Sequence, residues 1–356
     1  MIDHQKLTRH LAEAIISHPS KAGHPPQNIP FSLPDFPSLQ KTGLIPLTAK
    51  YFQKSQLSQA ILQYSRELAF RNLTLYGEML RLVQAAKQHD LLWLPWKGPA
   101  LALELFGDTA LRNFNDLDFL VGIDELDVSV ELMLSLGYQL SAPHQHYPKR
   151  LPLDSRCSWE FFHPHTGLNV ELSVKLIPLS SSHQQLCEML ARSQNVNQQY
   201  QQLSPEDLLL SLCVHGSKHG WERPAWIIDI FCLILKYPEL HWETVLARAH
   251  KYAQSRHLAY AFLTLQHMTA INNLPPKIET WAQQKWNSKA RLVETPEQEI
   301  QLLFQLHPPL DIVPKLVYLL TPSIHDWVSI GAQSIFNPKL WCLRPLRLLK
   351  KIKLHR

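Results

Sequence analysis

The chain has 356 residues, 45% of them hydrophobic and only 18% charged, enough apolar material for two domains and a sizeable core. Its net charge of +5 is concentrated at the end, where Lys339 to Arg356 carries seven Lys or Arg and no acid, so the near-neutral remainder argues against a broad nucleic-acid-binding surface. No apolar run reaches the roughly 20 residues that span a bilayer, the start (Asp3, Lys6, Arg9, Glu13) is unlike a secretory signal, and the five dispersed cysteines predict reduced thiols, so a cytoplasmic location is expected.

Residues 1–47 read as a first unit. Lys6 to Ile16 is a short amphipathic helix, and His18 to Leu47, with seven prolines, reads as an extended linker or a segment laid over the surface. A second unit, 48–180, opens with a long helical pattern from Thr48 to His89, broken at most once. Leu57, Ile61, Tyr64, Leu68, Leu75, Met79, Leu82 and Ala86 recur at three- and four-residue steps, a stripe suited to packing on one face of a sheet. Gly77 is the candidate bend.

The stretch from Leu91 to Val121 organises the rest. Leu91 to Trp96 is an apolar run with the character of a buried strand, Lys97-Gly98-Pro99 makes a turn, and Ala100 to Phe106 has the composition of a short helix. A loop with Gly107 and Arg112 leads to Asp116-Leu117-Asp118-Phe119-Leu120-Val121. Residues two apart on a strand share a face, so Asp116 and Asp118 project together while Leu117, Phe119 and Val121 enter a core. Two neighbouring carboxylates repel each other, and a divalent cation such as Mg²⁺ relieves that repulsion. The plain alternative is a solvated strand face. The strand–turn–helix context, with a basic residue on either side of the helix, favours the metal site.

Lys97-Gly98, then Arg112, then the Asp116–Val121 strand resembles the signature of the uncharacterised bacterial nucleotidyltransferases of the polymerase-beta-like superfamily. The resemblance spans about Tyr76 to Asp229 and is strongest from Leu94 to Val121. The wider superfamily prefers Gly-Ser or Gly-Gly at the turn and a shorter gap to the Asp pair. Here Pro99 removes one backbone donor for a phosphate, and Lys97 supplies compensating charge.

Asp124 is the expected cap of a helix from Glu125 to Leu136, ended by Gly137, and Tyr138 to Leu140 is a short strand. Ala142 to Arg156 reads as a loop bordering the site. Arg156 to His163 and Leu168 to Leu176 are two strands joined by a turn at 164–167. On the second, Val170, Leu172 and Val174 alternate with Asn169, Glu171 and Ser173. By the resemblance, Glu171 is the candidate third carboxylate; by itself it is equally an exposed strand residue.

The unit 181–335 reads as helical. Ser204-Pro205-Glu206-Asp207 starts a helix that runs to His219, carrying His215 and His219 one turn apart, with Lys218. Such a pair can ligate zinc, contact a bound nucleotide, or simply pack against Trp221 and Trp226. Trp226 begins another helix, whose Asp229 is suited to hold a His or Arg in place. Residues 336–356 mix Leu340, Trp341, Leu343, Leu346, Leu349 and Ile352 with basic residues, fitting an anionic surface, an acidic partner, or a helix end folded on the body.

The fold class expected is α+β: a small mixed-sheet nucleotidyltransferase core flanked by helices, then an all-helical C-terminal domain. The activity implied is metal-dependent transfer of a nucleoside monophosphate from a nucleoside triphosphate to an unidentified hydroxyl acceptor, releasing pyrophosphate. Asp116, Asp118 and Glu171 would hold Mg²⁺ (or Mn²⁺). Lys97 and Arg112 would neutralise phosphate charge, Gly98 would let the backbone approach the triphosphate, and Lys218, His215 and His219 would contact the nucleotide. The rivals are an inactive binding or scaffold protein of the same fold, and a toxin–antitoxin component that modifies a protein or RNA. No Gly-x-x-x-x-Gly-Lys motif is present, which excludes a P-loop enzyme.

Overall fold

Two apolar half-patterns on one strand decide the architecture. In β2 (Asp116–Leu120) Leu117 and Phe119 point to one side, while Asp116, Asp118 and Leu120 point to the other. In the computed structural model this strand lies inside a five-stranded mixed sheet. The structure describes residues 4–17, 28, 31–141, 158–176, 182–271, 274–286, 298, 301–302, 305–306, 339 and 341–342. The loop 142–156 and most of the basic tail lie outside the described residues.

The sheet runs in the order β1 (Leu94–Pro95), β2, β5 (Asn169–Ser173), β4 (Ser158–Phe162), β3 (Gln139–Leu140). Only β2 and β5 are parallel; the other neighbours are antiparallel. The chain is thus α+β, as its sequence predicts. The apolar run at Leu91 contributes only two residues of strand, because β1 pairs with β2 at Leu94 and Pro95 alone.

One sheet face is covered by α4 (Gln59–Gln88) and α6 (Leu126–Ser135). Leu75, Met79, Leu82, Val83 and Ala86 of α4 join Leu117, Phe119, Val170 and Leu172 in one core, so the helical stripe does the packing that its spacing predicts. Ser58 caps α4, and Gly77 lies inside the uninterrupted helix. The helical pattern from Thr48 divides ahead of it: α3 (Ile45–Tyr51) ends, a 3-10 turn spans Lys54–Gln56, and α4 begins. Asp124 does not cap α6. It sits in a 3-10 turn, Ile123–Glu125, that leads into the helix.

The described end of the proline-rich segment, residues 36–47, departs from its expected extended form. Pro37 and Pro46 each stand in the first turn of a short helix, α2 (Phe36–Thr42) and α3. There the missing N–H costs nothing, since those donors lack an intrahelical partner anyway. Leu39, Leu44, Ile45 and Leu47 are buried with α1 (His4–Ser17) in a second core.

That second core covers the other sheet side with helices: α7 (His183–Ala191), α8 (Pro205–Lys218), α9 (Ala225–Lys236), α10 (Trp242–Lys251), α11 (Ser255–Thr269) and α12 (Pro276–Lys285). An unforeseen hairpin, β6 (Gln194–Val196) and β7 (Tyr200–Gln202), precedes α8. Asn197 and Gln198 both adopt positive φ (48° and 61°) to close it. Among the described residues, no helix is long and apolar enough to cross a membrane.

Candidate active site

The register of the parallel pair builds the site. Asp118 lies opposite Glu171 and Asp116 opposite Asn169. Partners across a ladder share a face, so Asp116, Asp118 and Glu171 all project from the side that the helical core covers. Asp118 is 5% exposed, Glu171 is half-buried and Asp116 is exposed.

Lys97 meets this face from the turn. Its Nζ lies 2.8 Å from Asp118 Oδ1 and 4.5 Å from the centre of the Trp96 ring, while the backbone N–H of Trp96 donates to the Asp118 carbonyl at 3.3 Å. Burial opposes the lysine's charge, but Asp118, Glu171 and Asp116 outweigh it and hold its pKa above the ordinary value. For Asp118 burial wins: its pKa is raised, Lys97 pulling it back and Asp116 and Glu171 adding to the rise. Glu171 goes the other way. Burial raises it, yet Lys97, hydrogen bonds from Ser173 and Ser158, and the Lys218 charge bring the net pKa down. Ser173 Oγ donates to Glu171 Oε1 at 2.9 Å.

Gly98 has φ +53°, and a Cβ there would stand 3.2 Å from the Asp116 carbonyl oxygen. Glycine therefore lets α5 (Gly98–Phe106) start directly against β2. Pro99 falls in the first turn of α5, where Pro removes a donor that no helical carbonyl would have used.

Arg112 does not join the carboxylate face. It is 8% exposed, and its Nε bonds both Asp229 oxygens at 3.2 and 3.1 Å, with Nη2 at 3.1 Å from Oδ2. Asn72 of α4 fixes the same loop, its Nδ2 donating to the Thr109 and Arg112 carbonyls at 2.7 and 2.8 Å. Asp229 holds an arginine, as its placement in the sequence suggests.

His215 and His219 line the helical wall. His215 stands 6.0 Å from Trp96, 5.0 Å from Trp226 and 4.9 Å from His219 between ring centres. Burial and the Lys97 charge push His215 well down; burial and Lys218 push His219 down to about 3. Both are neutral imidazoles packed on Trp226. Trp221 instead fills the space beside Gly216. Lys218 is exposed at the end of α8, within the field of Glu171.

Sequence reasoning passed over five contributors. Trp96 carries Lys97, Ser158 and Ser173 hold Glu171, and Arg71 and Asn72 fix the loop ahead of β2. Ser173 had a signal, the alternation through Glu171. The α4 residues had none, because a helix stripe does not say which strand it meets.

Among the described residues, no group of three or more His, Cys, Asp or Glu side chains is gathered around a metal position. The donor chemistry nonetheless suits a hard cation: three carboxylates on one face meet the single buried ammonium of Lys97.

The model of a family described as uncharacterised nucleotidyltransferase matches residues 40–270. The chain belongs to this family. The match runs from α2 to the end of α11, so the nucleotidyltransferase family pattern takes in both walls of the site, the sheet and the helices that cover it. Comparison with curated proteins and with solved structures returned no match.

Proposed function

We propose that the protein transfers a nucleoside monophosphate from a nucleoside triphosphate to a hydroxyl acceptor, with a divalent cation, Mg²⁺ or Mn²⁺, held by Asp116, Asp118 and Glu171. The observation that carries the reading is the pairing of Asp118 with Glu171 across parallel strands, on one face with Asp116 and with Lys97.

The acceptor oxygen attacks the α-phosphorus. A new O–P bond forms, the bond to the pyrophosphate oxygen breaks, and the hydroxyl proton is lost to water. When bound, the cation supplies Lewis acidity that lowers the acceptor's pKa and screens phosphate charge. Lys97 neutralises charge that builds on the phosphates. Gly98 lets the backbone come close, and the start of α5 offers free N–H donors. His215, His219 and Lys218 would meet the nucleotide from the helical wall, the neutral imidazoles contributing hydrogen bonds without adding charge. The family membership and the carboxylate face both support this reading.

Each of the four labelled triphosphates, incubated with Mg²⁺ or Mn²⁺ in cell extract, tests it. One should give pyrophosphate release, falling by about a hundredfold or more in Asp118→Asn, the scale of a lost electrostatic contact in a transition state. The fate of the label separates a small-molecule acceptor from a protein or RNA. Binding without any release would instead mark a scaffold.

A further inference from the structure

Arg112 is committed to Asp229, so the cation expected on the Asp116 side of the cleft must come from elsewhere. We propose that Arg71 is the phosphate-binding arginine of this site and that Arg112 is a positioning residue for the loop ahead of β2. The inference rests on the nucleotidyl-transfer reading.

Arg71 projects from α4 onto the approach to β2. Its Nη2 donates to the Phe114 carbonyl at 2.5 Å and to Asn113 Oδ1 at 3.3 Å, two and three residues ahead of Asp116. Asn113 is held in turn by Tyr64, at 3.2 Å from its hydroxyl. One amino group of the guanidinium is thus pinned and its Nε is buried away from solvent, which leaves the second amino group, Nη1, to meet a ligand. Burial lowers the Arg71 pKa and the nearby Tyr64 and Asp116 groups oppose the shift; a guanidinium stays charged in any case. A half-buried arginine with one amino group to spare, fixed to the residues just ahead of the exposed Asp116, can turn that group and its charge toward phosphate oxygens. Arg112 is more deeply buried, at 8% exposed, and all three of its close N···O contacts go to one carboxylate.

Two variants separate charge from scaffolding. Arg71→Gln keeps an amide donor for the Phe114 carbonyl and removes the charge; Arg71→Lys keeps the charge and loses the fork. Affinity for ATP, GTP, CTP and UTP in Mg²⁺, and for the matching nucleosides, is measured by calorimetry, with thermal melting alongside. For the triphosphate that binds, Arg71→Gln should weaken affinity by about tenfold, the size of one charge-assisted hydrogen bond. Arg71→Lys should lose less, and the nucleoside affinity should not move. Equal triphosphate affinity in Arg71→Gln and wild type, or a larger loss in Arg71→Lys, overturns the assignment while leaving the proposed activity standing. A wild-type protein that binds none of the four triphosphates overturns both.

Discussion

The site contains two buried ion pairs built on different plans. Arg112 and Asp229 meet through a guanidinium fork, with three N···O contacts of 3.1–3.2 Å. One cation faces one anion, and Asn72 holds the arginine's own carbonyl. Lys97 and Asp118 meet through one contact of 2.8 Å, and the lysine also lies in the field of Glu171 and Asp116. The first pair is closed, one cation matched by one anion, and it ties the loop ahead of β2 to α9. The second carries surplus negative charge. A pair with matched charges is suited to holding two elements together, whereas an ammonium shared among three carboxylates is suited to exchanging partners when another cation arrives.

Breaking the closed pair should have the largest effect on stability. Asp229→Ala leaves the Arg112 guanidinium buried and unmatched, at a cost of about 3–5 kcal/mol, read as a fall in the urea midpoint. Lys97→Met should cost less, about 1–3 kcal/mol. Burial and the neighbouring acids already hold the Asp118 pKa up, so without the lysine the carboxyl takes a proton in place of standing as a bare anion. That proton is bound in the folded state and not in the unfolded one, so the cost of Lys97→Met should shrink as pH is lowered. If Lys97→Met proves the more damaging substitution, the contrast between the two pairs is wrong.

The difference between the pairs also marks what the sequence could reveal. Local rules were legible: the two-residue period exposed the Asp116/Asp118 face and the polar side of Glu171, the three-and-four spacing marked α4 as a helix packed on one face of the sheet, and the Ser204-Pro205 start fixed α8. Pairing between distant segments was not. Arg112 and Asp229 lie 117 residues apart, and an arginine between a glycine loop and an acidic strand looks like a phosphate ligand until α9 is brought against it. Pro37 and Pro46 misled for a related reason. Proline both breaks helices and begins them, and only burial of Leu39 and Leu47 selects the second outcome. Asn197 and Gln198 at positive φ, without a glycine, concealed the β6–β7 turn.

Acid probes the space between the pairs, because His215 lies in the field of both Lys97 and Arg112. Burial and the nearby cations, Lys97 for His215 and Lys218 for His219 foremost, keep both rings neutral in the folded protein, whereas in the unfolded chain each takes up a proton near its ordinary value of 6.5. Below that value the unfolded state binds more protons, so stability rises with pH there and is level above it. The slope should reach about 1.4 kcal/mol per pH unit for each imidazole, measured as denaturation midpoints between about pH 5 and 6.5. His215→Phe, which keeps the ring on Trp226, should remove its share. An unchanged slope in that variant sinks the buried-neutral assignment.

The smallest effect is expected from the carboxylate that neither pair claims. Glu171 is held by neutral donors: Ser173 Oγ at 2.9 Å, from the residue paired with Leu120, and Ser158 on the adjoining β4. The Lys97 charge and these bonds favour its charged form and outweigh its burial, so its pKa falls while that of Asp118 rises on the same sheet face. Ser173→Ala deletes one hydrogen bond to a partly buried carboxylate and should cost about 1 kcal/mol of stability. If Glu171 serves the proposed transfer, pyrophosphate release should drop by about fivefold or more, since that much transition-state energy is worth about that factor, and KM for the triphosphate should stay close to wild type. A Ser173→Ala protein that loses stability but keeps full turnover would confine Glu171 to a structural role, and would leave Asp116 and Asp118 as the only carboxylates of the face with a claim on the chemistry.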